Sequence, residues 1–316
     1  MRTHILKASI GLFAALLISA TNSQAGSATF NLNTAPDPTQ FSLTGNAEWR
    51  ETGGVNNSGY IVITPAANGQ SSAILFPDFD LGKVVAAFTF ECMIKMGDWT
   101  GANCPADGFS VSYARGGDEA IDNIDQGGTG VWNGSQVNGG TEGSLPEEGT
   151  RTGMAIGFDT WGTGDAPYCG RNGPQDLRGI SVRVDGDQVA QIGMPVLVLA
   201  DPTAYATDCS TLLTCPRDTD NPGSGDKLGW VPLKVTVDDR GVVNVWWKGC
   251  QIVTDVKTGY FPSPGRLVFG GRTGGANAFG AVDDIKITTE AAVGGDTEPP
   301  TVPANLKATE VGPRRV

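Results

Sequence analysis

Hydrophobic residues recur along the chain in short runs with a two-residue period, and glycine-rich turns separate the runs. From Val84 to Lys95, Phe88, Phe90, Cys92 and Ile94 alternate with Thr89, Glu91 and Lys95. That alternation marks a strand with one buried face. Runs of the same kind lie at 60–64 (YIVIT), 72–76 (SAILF), 109–113, 154–158, 180–184, 233–237, 242–247, 252–256, 267–269 and 282–288. Trp246 and Trp247 are adjacent in one run, so they face opposite ways and at most one belongs to the core. Turn residues join several runs: Asp185-Gly186 before QVAQI, Asp239-Arg240-Gly241, and Lys248-Gly249. Glycine supplies the positive φ of tight connections, so the runs between 233 and 256 are expected to form successive hairpins. No long run has helical periodicity. The pattern predicts an all-β fold, a two-sheet antiparallel sandwich of the jelly-roll kind.

The two ends of the chain differ from this texture. Arg2, His4 and Lys7 precede an apolar stretch from Ala8 to Ala20, and Ser23 and Ala25 suit a signal-peptidase site. Residues 1–25 are therefore expected to be a cleaved signal peptide, because the apolar stretch is short of the roughly 20 residues a membrane span needs. No second stretch of that length occurs, so no transmembrane span is expected in the mature chain, which would be secreted, periplasmic or held at the cell surface. The sandwich is expected over 26–290. A Gly/Pro linker follows over 291–303, with Thr297-Glu298-Pro299-Pro300 at its stiff part.

Charge and composition narrow the chemistry. The sequence has a formal net charge of −12. Loss of residues 1–25 would remove Arg2 and Lys7, leaving 20 basic and 34 acidic residues. Such a surface does not suit nucleic acid, whose binding needs lysine and arginine to replace counterions. His4 is the only histidine and lies in the signal, which excludes Ser-His-Asp and Cys-His catalysis and histidine zinc sites from the mature chain.

Six cysteines in an exported chain imply up to three disulfides. Cys209 with Cys215, in one polar loop, is the first expected pair. Cys92 with Cys104 and Cys169 with Cys250 complete one of the 15 connectivities possible for six cysteines. No C-x-x-C spacing supports a metal-thiolate site. Two long irregular segments, 114–152 and 200–227, are of the length that often carries function in a compact domain. The acidic groups within the first, Asp118-Glu119-Ala120-Ile121-Asp122 and Glu147-Glu148, read as solvated loop positions.

Four segments carry a family resemblance: Ala106-Asp107-Gly108-Phe109-Ser110; Asp125-Gln126-Gly127-Gly128-Thr129-Gly130; Gly153 to Trp161 (GMAIGFDTW); and Leu267 to Gly275 (LVFGGRTGG) followed by Ala281-Val282-Asp283-Asp284-Ile285. In this order they resemble the concanavalin A-like jelly roll, and within it bacterial domains similar to the L-type (legume-type) lectins. The resemblance implies a carbohydrate site in which Asp107 follows a cis peptide and accepts hydrogen bonds from sugar hydroxyls. It implies a backbone N–H from Gly127 or Gly128 and a closing loop of Gly274 and Gly275. Trp132 and Trp161 lie in loops beside that site, where an indole face can stack on a pyranose. The family's metal pair departs here, since Gly157 stands where a glutamate is usual and no histidine follows. Asp159 and Asp165 remain as candidate ligands, and calcium, which takes six to eight oxygens, is the ion such a set would hold.

The tail from Asp296 to Val316, DTEPPTVPANLKATEVGPRRV, resembles the entrance of a fibronectin type III module. A sandwich of about 100 residues cannot form from residues 304–316 alone, so a longer multidomain protein is expected. The resulting expectation is a secreted, non-catalytic carbohydrate-binding module whose partner is a polysaccharide or glycoconjugate. A laminin-G-like adhesion or spacer domain without a working sugar site is the alternative. A glycoside hydrolase ranks below both, because the E-x-D-x-x-E motif of jelly-roll glucanases is missing and retaining hydrolases need two carboxyls about 5 Å apart.

Overall fold

The computed structural model describes residues 23–101, 104–121, 146–161, 178–194, 198–227 and 229–292. Within them the alternating runs are strands. In chain order they are β1 (Ser23–Phe30), β2 (Ser42–Gly45), β3 (Glu48–Arg50), β4 (Tyr60–Thr64), β5 (Ser71–Leu75), β6 (Val85–Gly97), β7 (Gly108–Arg115) and β8 (Met154–Asp159). There follow β9 (Gly179–Val184), β10 (Asp187–Gly193), β11 (Val231–Val237), β12 (Val242–Trp247), β13 (Cys250–Lys257), β14 (Gly265–Arg272) and β15 (Phe279–Ala291). One sheet has the order β13-β12-β11-β6-β15-β4-β3, with β1 added on β15; the other has the order β10-β9-β8-β7-β14-β5-β2. All the pairings are antiparallel. The chain is an all-β, two-sheet antiparallel jelly-roll sandwich.

The interior is made by one side of each strand. Phe88, Phe90, Cys92 and Ile94 of β6 face Phe109, Ile156, Phe158 and Phe269 of the other sheet within one buried cluster. Phe109 stacks on Phe158 and Phe269, at ring separations of 4.5 and 5.3 Å, and Trp247 closes over it at 6.4 Å. Each such side chain contributes about 1.5–3 kcal/mol by leaving water. Trp247 is fully buried while Trp246 faces outward, as their adjacency requires. The hairpin series β11-β12-β13 forms as expected. At the Asp185-Gly186 and Lys248-Gly249 turns both central residues have positive φ (49° and 85°, 53° and 83°), the conformation that matches strand twist in two-residue hairpins.

Strands β1 to β3 have no counterpart in the hydrophobic pattern. The second and third are four and three residues long, too short to show a period. The first begins at Ser23, inside the expected signal segment, and pairs with the second half of β15. That pairing puts Ser23 opposite Ala291, and the Ala292 N–H donates to the Val84 carbonyl nearby. Both ends of the described chain thus reach the same pole of the sandwich.

The cysteine pairing differs from the expectation. Cys209 is bonded to Cys250, while Cys92 and Cys215 are free and buried. Cys104 is disulfide-bonded, and its partner lies outside the described residues. Cys92 packs unpaired in the sandwich interior. Cys215 bridges to Gly97 at the end of β6 and packs against Tyr60 and Phe279, away from Cys209. What ties the 208–213 segment to the β12–β13 turn is Lys248. Its ammonium donates to the carbonyls of Asp208 (2.9 Å), Thr211 (2.9 Å) and Leu213 (2.8 Å), and burial pushes its pKa down to about 8. That carbonyl cage brings Cys209 beside Cys250.

Candidate functional site

Three strand ends of the seven-stranded sheet meet at the pole opposite Ser23 and Ala292. Gly108, the first residue of β7, pairs with Asp159 at the end of β8 and with Arg272 at the end of β14. A Cβ at Gly108 would run into the Phe158 carbonyl, and its φ is 156°, so only glycine lets β7 begin here. The Ala106–Asp107 peptide before it is cis, the geometry the family resemblance implies. Neighbouring strands hold the Asp107 backbone on both sides. Its N–H donates to the Arg272 carbonyl (3.1 Å), and its carbonyl accepts from the Thr160 N–H (2.8 Å) and hydroxyl (3.0 Å).

The carboxylate of Asp107 is engaged by a residue that sequence reasoning passed over. Arg272 Nη1 donates to Asp107 Oδ2 (2.9 Å) and to Glu147 Oε1 (2.8 Å). The side chains of Asp107 and Glu147 keep 12% and 5% of their exposure, against 29% for Arg272. Burial alone would lower the guanidinium pKa, but the charges of Glu147 and Asp107 outweigh it and raise the value. One faintly legible signal pointed to Arg272. Leu267 and Phe269 are core positions, so the same alternation sends residue 272 to the outer side of β14. Nothing in the sequence pattern places Glu147 here, because its position depends on the path of a loop.

The loop after β14 covers the carboxylate. Thr273 donates its hydroxyl to the Ala67 carbonyl (2.6 Å) and accepts from the Gln70 N–H (2.9 Å). The Gly69 N–H donates to the Gly274 carbonyl (3.0 Å), and Asn68 Nδ2 to the Gly275 carbonyl (3.1 Å). The β4–β5 turn therefore fixes this loop. A Cβ on Gly274 would lie 2.9 Å from Asp107 Oδ2, whereas one on Gly275 would meet nothing within 4 Å. Gly274 is the point of close approach, and Gly275 stands open at the rim. Asp159 Oδ1 accepts the Trp161 N–H (2.7 Å), which turns the half-buried Trp161 past the end of β8. Asp107, Gly274, Asp159 and Trp161 thus gather at one pole. Gly127, Gly128, Trp132 and Asp165 lie outside the described residues.

Of the acidic residues read as solvated, Asp118 and Glu147 are buried and Glu148 is nearly so, while Glu119 stays half-exposed beside Arg151 and Asp122 lies outside the described residues. Glu147 is 4% exposed, and Glu148 approaches Arg183 of β9 at 3.7 Å with 13% of its side chain exposed. Asp118 is 2% exposed and accepts from the Ala120 N–H and from the Thr152 N–H and hydroxyl. These carboxylates turn inward because unpaired backbone donors and arginines await them under the loop, and a buried charge must be paired.

The same loop explains Gly157. Ser110, Gly157 and Ser181 sit side by side on β7, β8 and β9. Residues 146–150 lie across them, with the Ser110 hydroxyl donating to the Pro146 carbonyl (2.6 Å). A Cβ at Gly157 would stand 2.9 Å from the Glu147 carbonyl and 2.8 Å from Ser181 Oγ. The position where the family usually carries a metal-binding glutamate is therefore occupied by crossing backbone. No group of three or more potential ligands gathers among the described residues. Of the two expected calcium ligands, Asp159 stands at the end of β8, and Asp165 lies outside the described residues.

No protein-family model matches the chain, and no curated protein matches it. Solved structures of similar chain path include the VIP36 exoplasmic/lumenal domain in its Ca2+/Man3GlcNAc-bound form, at 16% identity and TM-score 0.47 over 87% of this chain and 92% of that one. The potassium-bound carbohydrate recognition domain of Emp46p matches at 13% identity and TM-score 0.47, over 82% of this chain and 95% of that one. The lectin from Bauhinia forficata in complex with GalNAc matches at 13% identity and TM-score 0.46, over 84% and 98%.

Proposed function

We propose that this chain is a secreted, non-catalytic carbohydrate-binding module of a larger protein, with its sugar site at the Asp107 pole. The observation that carries the reading is the convergence of Asp107 with the Gly274–Gly275 loop, where a partly exposed carboxylate lies beneath a rim that bears no side chain. A carboxylate fixed in this way accepts hydrogen bonds from a ligand's hydroxyls, and the bare rim admits a ring. The half-buried Trp161, beside the end of β8, is the residue assigned here to lend an apolar face. The pole also points away from the end where the described chain enters and leaves, the arrangement expected of a module that presents a ligand site outward.

Catalysis is disfavoured by the same geometry. Asp107 and Glu147 share one guanidinium nitrogen, so their carboxylates lie within about 6 Å of each other, near the spacing of a retaining hydrolase. A general acid must carry a proton, and the shared cation instead compensates two ionised groups. Among the described residues no helix is long and apolar enough to cross a membrane.

The test is a glycan array and equilibrium binding on the full chain, with and without calcium, comparing wild type with Asp107→Asn. The isosteric amide keeps an acceptor for Arg272 but removes the charge. At least a tenfold loss of glycan affinity with an unchanged unfolding transition is expected. A wild-type chain that binds no glycan under either condition sinks the reading. The second reading, an adhesion or spacer domain, is favoured by the Arg272 contact that already engages Asp107, and it predicts that null array.

A further inference from the structure

The outer face of the eight-stranded sheet carries an open hollow of about 560 Å3. Its floor is Met93 and Pro232. Across it runs a single row of side chains from four adjacent strands, set by register: Trp246 opposite Lys234, Lys234 opposite Glu91, and Glu91 opposite Lys286. Three strand spacings make this row about 14 Å long. The row is internally braced. Lys234 lies 5.8 Å from the centre of the Trp246 ring and 3.2 Å from Glu91 Oε1, and Lys286 lies 3.5 Å from Glu91 Oε2. The polar members nevertheless remain open to solvent, with Lys234, Glu91 and Lys286 keeping 43%, 33% and 59% of their side-chain exposure.

Two properties of the row identify what it suits. A half-buried indole beside fixed donors and acceptors matches a ligand with one apolar C–H face and an edge of hydroxyls. The formal charges around the hollow cancel, since Lys234 and Lys286 offset Glu91 and Asp284, in a chain whose net charge is −12. A locally neutral patch on an acidic protein neither attracts a cation nor accepts an anion against the overall field. We propose that this face is a second carbohydrate-binding surface that takes a neutral glycan chain across the strands, with one sugar ring on Trp246 and hydroxyls along Lys234, Glu91 and Lys286. It is distinct from the Asp107 pole, which belongs to the other sheet.

The experiment uses the full chain and a panel of immobilised polysaccharides: mannan, a β-glucan, cellulose, and polygalacturonate as the anionic control. Binding is measured for wild type, Asp107→Asn, Trp246→Ala, Trp246→Phe and Glu91→Gln, each checked for an intact unfolding transition. The proposal expects a neutral polysaccharide to be retained by Asp107→Asn and Trp246→Phe. Trp246→Ala should weaken it at least tenfold and Glu91→Gln severalfold, with quenching or enhancement of indole fluorescence on binding in the wild type. If Trp246→Ala fails to fold, Glu91→Gln and Trp246→Phe decide the question alone, through a severalfold loss and a retained affinity respectively. Wild-type affinity in both Trp246→Ala and Glu91→Gln overturns the proposal. So does binding of none of the neutral polysaccharides, or salt-sensitive preference for polygalacturonate. A change of oligomeric state in Trp246→Ala without any glycan effect assigns the face to a second copy of the chain and overturns it too. Loss of binding in Asp107→Asn but not in Trp246→Ala supports the pole and rejects the second surface.

Discussion

The two sheets present outer faces of opposite character. On the seven-stranded sheet the outward positions beneath the crossing loop are small: Ser110, Ser112, Ala155, Gly157 and Ser181 form a shallow pavement, with Arg183 and Arg272 at its margins. On the eight-stranded sheet they are long: Trp246, Lys234, Glu91 and Lys286 stand in a row. The difference reports what lies on each. The pavement is covered by residues 146–150, whose Pro146 carbonyl and Thr150 N–H bond to the Ser110 and Ser112 hydroxyls. Backbone can approach a sheet so closely only where side chains are reduced to hydroxyls, methyls or nothing. The long-residue face keeps its bulk because solvent or a ligand fills the space above. Small outward residues in a strand therefore signal a covering segment rather than an idle surface.

The comparison breaks most sharply at Gly157. Introducing a glutamate at this position, Gly157→Glu, is expected to cost more than ~3 kcal/mol, because the new Cβ meets backbone and Ser181 rather than a flexible side chain. Urea unfolding measures the cost. Limited proteolysis distinguishes global loss from ejection of the 146–150 segment, and either outcome upholds the packing argument. Gly275→Ala, with nothing within 4 Å of its Cβ, should stay within ~0.5 kcal/mol of wild type. A Gly157→Glu chain as stable as wild type would mean that the covering segment is not seated as described. Arg272→Met comes next. It leaves Asp107 and Glu147 facing each other without a cation, and one-sided removal from a buried pair costs roughly 3–5 kcal/mol. The partial exposure of Arg272, 29%, places the expected loss near the lower end, about 3 kcal/mol. Thermal unfolding of the variant and of the Arg272→Met/Glu147→Gln double variant tests the cause, since the second change should restore part of the stability.

The strands were legible because a two-residue period is local information. Residues 60–64 and 242–247 coincide with β4 and β12 to the residue, and the Asp-Gly and Lys-Gly turns carry their own conformational signal. What decides the pole is not local. Glu147 reaches Arg272 from 125 residues away, and Asp107 reaches it from 165. Alternation says which way a strand residue points but says nothing of the loop it meets. The cysteines fail for the same reason. Closeness in sequence made Cys209 and Cys215 a natural pair, yet Cys215 is drawn to the end of β6 while the Lys248 cage carries Cys209 to Cys250. Gly157 shows the limit most plainly. As a sequence feature it is a missing ligand; in the fold it is the clearance for a crossing chain. A motif departure carries two explanations, loss of an old role and gain of a packing constraint, and only the neighbours separate them.

The smallest expected effect compares ion pairs on the two sides. Arg115 holds both carboxylate oxygens of Asp185, at 2.7 and 3.0 Å, and the Gly153 N–H adds a third bond at 2.8 Å. These bonds join the end of β7, the start of β8 and the β9–β10 turn around the covered face. Burial pushes the Asp185 pKa up, but the arginine and the backbone N–H outweigh it, and the net shift is downward. A depressed folded-state value means that the contribution is present above the unfolded carboxyl value of about 3.9 and is lost as pH falls through the lower folded value. Half of the Asp185 side chain is exposed, so solvent screening limits the pair to about 1 kcal/mol. Asp185→Asn should therefore be less stable than wild type by about 1 kcal/mol at pH 7, with the two denaturation curves converging in acid, below the unfolded carboxyl value. On the open face the same change, Glu91→Gln, removes a carboxylate from two lysines that solvent already screens, and should cost no more than about 0.5 kcal/mol. Equal effects at the two sites would show that three fixed donors hold a carboxylate no better than two solvent-screened lysines. A larger effect at Asp185, fading only in acid, ties the difference to three fixed donors around one charge.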